Sequence, residues 1–330
     1  CLCCDSSKGD GGMKNIRFVL IGLATAVGVA VILLVILFPL GKTVDAPPMR
    51  RITVLLAEDQ SEYWDQVADA IQQELGTFAS IQIIRTAPTD TDEQRKRFEM
   101  AIAADVDGMI VSLSDDVLTQ EMLEKANMAG FPVVLVDSDV QSDAISYSVG
   151  SDHRLAGAMA AELLHHATGG QANIAILSGS QGQESQRSKV EGFCDAIAQW
   201  PKMQVVCTEY SNMDAIQAAQ IAQTILKAYP EVNAIIGISD ADLEGIIKTM
   251  DSKINKDAYR VIGFDNSELT LQAVKAGTVL AVIAQSPRDT GAEAAKLLRD
   301  ILEGTETGLE RHVPIELFTI TSSDVEGSVS

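Results

Sequence analysis

The chain repeats itself. Pro132-Val-Val-Leu-Val-Asp137-Ser138 returns in the second half as Arg260-Val-Ile-Gly-Phe-Asp265-Asn266, and Val106-Asp-Gly-Met-Ile-Val-Ser112 returns as Val232-Asn-Ala-Ile-Ile-Gly-Ile238 with nearly the same spacing. Each copy is an apolar run closed by polar residues. Around these runs, short Val/Ile/Leu stretches alternate with amphipathic patterns such as Val67, Ala70, Ile71 and Leu75 on one helical stripe. Five strands are expected at 52–57, 81–86, 107–113, 132–136 and 145–149. Five more follow at 173–177, 204–208, 233–238, 260–264 and 279–284. Continuous apolar strands separated by helices indicate parallel sheets covered on both faces. The expected fold is α/β, with two similar doubly wound parallel-sheet lobes. In open parallel sheets ligands bind at the carboxyl ends of the strands. Two such lobes with facing strand ends, marked by Ser112 and Asp137 in one and Ser239, Asp240 and Asp265 in the other, enclose a cleft.

Ahead of the lobes, residues 18–40 carry no charge. As a helix they span about 34 Å at ~1.5 Å per residue, enough for a hydrocarbon core of ~30 Å. A secretory signal has a shorter apolar region and a small-residue cleavage site. The best such site, Val44-Asp45-Ala46, is followed directly by Pro47, and no Cys stands near the end of the run to carry a lipid. An uncleaved anchor is expected, with a cleaved signal as the alternative. Lys8, Lys14 and Arg17 before the span nearly balance Lys42, Arg50 and Arg51 after it, so charge does not decide the orientation. Met13 reads as a start of translation. Residues 1–12 then form a tail, with Cys1, Cys3 and Cys4, that reads as an upstream extension. The organisation expected is a tail (1–12), an anchor (13–42), a linker (43–50), one lobe from 51–151 and 286–316, and another from 152–285 and 317–330. Cys194 and Cys207 either form one disulfide or remain two free thiols.

The chain has 25 Lys and Arg against 46 Asp and Glu, a formal net charge of −21. Nucleic-acid binding requires a cationic footprint, and this chain offers none. No helix-turn-helix precedes residue 50. Gly179-Ser-Gln-Gly182 lacks the dinucleotide pattern, and neither a phosphate-loop G-K-[ST] nor a hydrolase G-x-S-x-G is present. His165 and His166 are adjacent on a helix, point about 100° apart and suit a helix C-terminus better than a metal. Asp240, Asp242 and Glu244 lack a calcium-loop pattern and read as charges opening a helix. No catalytic constellation, cofactor motif or metal site emerges. The expectation is a binding protein, not an enzyme.

From about residue 50 to 322 the sequence resembles the ribose- and galactose-type periplasmic binding proteins, whose fold is shared by effector domains of the lactose-repressor family. The markers, in the family's order, are Ser61-Glu-Tyr63-Trp64, Ser151-Asp152-His-Arg-Leu-Ala-Gly157, Glu191-Gly192-Phe193, Ile262-Gly263-Phe264-Asp265 and Ala284-Gln285-Ser-Pro287. The resemblance implies two lobes joined by three crossing segments, near 150–152, 285–286 and 316–317, closing on a small sugar or polyol. It implies ring stacking by Tyr63 and Trp64, hydroxyl binding by Asp137 and Asp265, and Gln285 as an amide between the lobes. Ser61, Ser112, Ser138, Lys189, Met213 and the Ser239-Asp240 pair occupy further family positions but depart from its usual residues. Ser61 and Ser112 replace amides, Ser138 and Lys189 replace arginines, Met213 replaces an aromatic, and Ser239-Asp240 stands where an amide–Asp pair is usual.

Each residue also has a plainer structural reading. Tyr63 and Trp64 are alternatively core aromatics, Asp137 and Asp265 helix caps, Lys189 a solvent-facing lysine and Met213 a core filler. The expected function is a membrane-anchored extracytoplasmic receptor delivering its ligand to an ABC-type transporter permease. The alternative is a ligand-sensing partner of a membrane signalling protein such as a sensor kinase.

Overall fold

The computed structural model describes residues 49–57, 61–138, 147–253, 258–305 and 311–326, together with seven scattered positions between 23 and 32. The chain forms two compact units, 1–48 and 49–330. In the first, Leu23, Thr25, 27–30 and Ile32 are helical. Most of the expected anchor, the 1–12 tail and the linker up to residue 48 lie outside the described residues, as do Cys1, Cys3 and Cys4. Among the described residues no helix is long and apolar enough to cross a membrane.

The second unit holds two six-stranded sheets. β1 (Arg50–Leu56), β2 (Ala79–Arg85), β3 (Gly108–Ser112), β4 (Val133–Val136) and β5 (Tyr147–Gly150) build the first, in the order β5-β4-β3-β1-β2. β6 (Ala172–Ser178), β7 (Met203–Tyr210), β8 (Ala234–Gly237), β9 (Arg260–Phe264) and β10 (Ala281–Gln285) build the second, in the order β10-β9-β8-β6-β7. The order is the same, and the pairings within each set of five are parallel. The sequence repeat is thus a repeat of topology.

Alternation along the strands gives each sheet two apolar faces. Ile52, Val54 and Leu56 of β1 point into one core and Leu55 into another. Ile174 and Ile176 of β6 point one way, Ala175 and Leu177 the other.

The helices covering these faces are α1 (Glu62–Leu75), α2 (Thr91–Ala103), α3 (Asp116–Met128), α4 (His153–Thr168), α5 (Glu184–Ile197), α6 (Ala215–Ala228), α7 (Asp240–Lys253), α8 (Glu268–Lys275) and α9 (Pro287–Glu303), with a short α10 (Ser322–Glu326) at the end. Their starts are specified locally. Asp90, Asp115, Asp152, Asp214, Ser267 and Ser286 each accept a first-turn N–H, satisfying a donor the helix itself leaves open. α4 ends at Gly169, whose φ of 62° and N–H bond to the His165 carbonyl close it. Backbone, not imidazole, makes that cap. The His165 ring instead stacks on Trp200 at 4.0 Å.

Twelve strands are present among the described residues where ten were expected. β11 (His312–Pro314) and β12 (Leu317–Thr321) are edge strands of the first and second sheets, and β12 is antiparallel to β10. Both are short and only partly buried, so they lack the apolar run that revealed the others. The chain passes between the sheets after β5, between β10 and α9, and between β11 and β12. Cys194 in α5 and Cys207 in β7 are free thiols, both raised above the ordinary thiol range, chiefly by burial.

Candidate functional site

Asp137 and Asp265 follow β4 and β9, equivalent strands of the repeat. Their φ values are 54° and 70°, in the left-handed region that Asp tolerates better than most side chains. Each backbone N–H is held by the neighbouring strand, Asp137 by the Val149 carbonyl at 2.9 Å and Asp265 by that of Ile283 at 3.0 Å. The sharp turn that results sets both carboxyl groups on the wall of one cavity of about 740 Å³. Asp265 is not a helix cap, since Ser267 caps the helix that follows it. Strain held by the surrounding sheet at a cavity wall is typical of ligand-contacting backbone.

The cavity wall also carries Ser61, Tyr63, Trp64, Lys189, Met213, Ser239 and Asp240. Tyr63 and Trp64 meet edge to face at 5.1 Å, pack partly on the core of the first sheet and present their remaining surface to the cleft. They belong both to that core and to the cavity wall. Lys189 is only 9% exposed, with its ammonium 4.9 Å from the Phe264 ring centroid. It faces the cleft, not solvent. Met213, at a φ of 61°, is half-buried at the wall, and its sulfur accepts the Gln186 amide at 2.8 Å.

Three expected residues do not line the cavity. Ser112 is 3% exposed and ends β3 between β1 and β4, one layer beneath it. Ser138, the residue after the left-handed Asp137, is half-buried and not part of the cavity wall. Gln285 lies under the floor, where its amide donates to the Tyr63 hydroxyl at 2.8 Å and to Asp137 Oδ1 at 2.8 Å. Its Oε1 accepts from Ser151, whose hydroxyl also stands 2.9 Å from the Ile315 carbonyl. Ser151, Gln285 and Ile315 sit on the three separate segments that pass between the sheets.

Ser239 lines the wall but has its hydroxyl committed. It donates to Asp242 Oδ2 at 2.5 Å, while its N–H donates to the same carboxylate oxygen at 3.0 Å. In return the Asp242 N–H donates to the Ser239 hydroxyl. This is a reciprocal cap of α7, written in the sequence as Ser-x-x-Asp. Asp242 is therefore not merely a surface charge opening a helix. It is fully buried, also accepts from the Ser211 hydroxyl at 2.5 Å, and burial raises its pKa against the pull of these serine bonds. Gln186 was likewise not anticipated. It accepts from Ser178 and from the Ser180 N–H, fixing the loop before α5.

Two charged groups remain open in the cavity. Among the described residues, the Asp265 carboxylate has no hydrogen-bond partner and the Lys189 ammonium has neither a hydrogen bond nor a close ion pair. Burial raises the Asp265 pKa above the ordinary range, with Lys189 opposing and the charge of Asp137 adding to the rise. Burial and the same Asp137 charge push the Tyr63 hydroxyl well above 10. A group that donates to Asp265 while accepting from Lys189 would satisfy both charges.

The lobes touch across the cleft mouth. Asp116 of α3 accepts the Glu184 N–H at 2.9 Å and pairs with Arg187. Glu62 of α1 accepts the Glu268 N–H at 3.1 Å.

Two like lobes, three connections and a polar cavity between strand ends define a two-lobed ligand-binding protein. Residues 52–306 match the periplasmic binding protein domain, and the chain belongs to that family. The ribose import binding protein of Bacillus subtilis (strain 168) is 29% identical over 237 residues, 72% of this chain and 76% of its own length. The ribose import binding protein of Escherichia coli (strain K12) is 23% identical over 280 residues, 84% of this chain and 94% of its own. Among solved structures, GanP, a glucose-galactose binding protein from Geobacillus stearothermophilus, is 30% identical with a TM-score of 0.75, over 83% of this chain and 98% of its own. The XylFII–LytSN complex contains a chain 27% identical with a TM-score of 0.78, over 84% of this chain and 100% of that one.

Proposed function

We propose that this chain is a membrane-anchored receptor that captures a small sugar or polyol by lobe closure outside the cytoplasm and passes it to an ABC-type transporter. The observation that carries the reading is the Asp265 carboxylate and the Lys189 ammonium facing one cavity, neither of them hydrogen-bonded among the described residues. A hydroxyl is both donor and acceptor, so a polyhydroxylated ring serves both groups without bringing a net charge. Asp137 accepts a further hydroxyl, held in place by Gln285. Tyr63 and Trp64 stack on the ring. Ser61, Met213 and Asp240 complete the wall. The relatives named for ribose and for glucose and galactose support the ligand class.

The test is a thermal-shift screen of the purified protein against sugars, polyols and amines. A ligand that binds only the folded state adds about 2.7 kcal/mol of stability at a hundredfold excess over Kd, so a clear rise in melting temperature is expected. Turnover of a sugar with no rise from any would overturn the receptor reading. The uncharged run at 18–40 supports the anchor, and the match to the periplasmic binding protein domain supports an outward orientation of the lobes. Protease added to intact cells should remove the lobes. Digestion only after lysis would place them in the cytoplasm.

The likeness to XylFII as found with LytSN favours a second reading, in which the same closure is sensed by a membrane signalling protein such as a sensor kinase. Co-purification from membranes distinguishes the two by whether a permease or a sensor is retained.

A further inference from the structure

The cavity is not uniform. Its inner end, over the crossing segments, is charged: Asp137, Asp265 and Lys189. Its outer part carries the uncharged Gln183, Ser185, Asn212 and Gln217 of the second lobe and Thr89 of the first, with the charged Asp214, Glu244 and Lys248 also on the wall. Several polar atoms there are uncommitted among the described residues. Asn212 donates its amide to Gln217 Oε1 at 3.4 Å, leaving Asn212 Oδ1 and Gln217 Nε2 without partners. Ser185 is 4% exposed and no protein group satisfies its hydroxyl. Gln183 has its oxygen on Gln186 at 3.0 Å and its amide nitrogen unpaired.

These atoms include donors and acceptors with no charge among them, and burying them behind a closed cleft without partners would be costly. The outer end is also bounded. Gly182 and Glu184, on either side of Gln183, bond across to Asp116 of the opposite lobe. The volume of about 740 Å³ lies in the upper part of the ~300–1,000 Å³ range of pockets that enclose drug-sized ligands. A single sugar ring seated on Asp137 and Asp265 leaves the outer groups unfilled.

Resting on the sugar-binding reading, we propose that Gln183, Ser185, Asn212 and Gln217 form an outer subsite for a second neutral hydroxylated unit, so that the preferred ligand is a disaccharide or a comparable glycoside. The charged inner end anchors one ring. The neutral amides select the second, and the Asp116 contact limits the length.

The experiment is titration calorimetry of the full chain with glucose, galactose and ribose, and with cellobiose, lactose and maltose. A disaccharide is expected to bind more tightly than either of its component sugars. Gln217→Ala and, separately, Ser185→Ala should each weaken that disaccharide about 3- to 10-fold, the worth of one neutral hydrogen bond, and leave monosaccharide binding unchanged. Asp265→Asn should weaken ligands of both sizes. Monosaccharides binding more tightly than every disaccharide, or outer variants that leave disaccharide affinity intact or weaken both sizes equally, would overturn the outer subsite and leave the receptor reading standing. If neither size binds, the sugar reading falls and this inference with it.

Discussion

Asp265→Asn should weaken binding of a neutral sugar or polyol roughly 10- to 100-fold in titration calorimetry. The substitution keeps the shape and one acceptor but removes charge-assisted bonds worth ~1.5–3 kcal/mol. Nothing in the protein compensates, because the native carboxylate has no hydrogen-bond partner among the described residues, and only the charges of Lys189 and His153 oppose the rise that burial gives its pKa. Burial raises its pKa, so affinity in the parent should start to fall on acidification at a higher pH than an ordinary aspartate would give. Asp137→Asn should act in the same direction, since the repeat places it at the matching strand end. Sugar phosphates and sugar acids should be rejected, because they bring an anion against Asp137, Asp240 and Asp265. If both variants bind like the parent, or a phosphorylated sugar binds best, the assignment of these carboxylates fails.

The largest stability effect is expected where no ligand touches. α4 and α5 cross at Gly157 and Gly192. A Cβ on Gly157 would lie 1.9 Å from the Lys189 carbonyl oxygen, and one on Gly192 would lie 2.0 Å from that of Arg154. These obstacles are backbone, so no side chain can swing away. Alanine is favoured over glycine in a helix interior by up to ~1 kcal/mol, which the clash must exceed. Overpacking in a filled core costs about 1–3 kcal/mol, and forcing two helix backbones apart belongs at or above the top of that range. For Gly157→Ala a net loss of about 3 kcal/mol is expected, or roughly 6–12 °C in melting temperature. Because the displaced turn of α5 carries Lys189, ligand affinity should fall as well. A variant that melts within a degree or two of the parent would show that the helices can separate freely.

The two-lobe architecture was legible because its signals are local and doubled. Apolar strand runs repeat in the same order in both halves, so each half vouches for the other. Asp137 and Asp265 were found by that pairing. What escaped notice depends on contacts distant in sequence or on weak local signals. Gln285 reads as an amide between the lobes, yet its place under the floor is set by Tyr63 and Asp137, which are 222 and 148 residues away. Ser112 shares the polar strand-end signature of Asp137, but no left-handed turn follows it to lift the side chain to the wall. Asp242 did have a signal, the Ser239-x-x-Asp242 spacing, which the neighbouring acids masked. β11 and β12 had almost none.

The contact of Ser151 with both Gln285 and Ile315 fastens all three interlobe segments at one point. Three parallel straps free to move separately would let the lobes slide, twist or bend. Tied together, they favour bending about a single line, since sliding or twisting would break the Ser151 bonds. Gln285 joins that line directly to Asp137, so the residue proposed to hold the ligand is one side chain away from the axle. Occupancy of the cleft can then be converted into a single angle, a signal that a partner on the outside can read without touching the ligand at all.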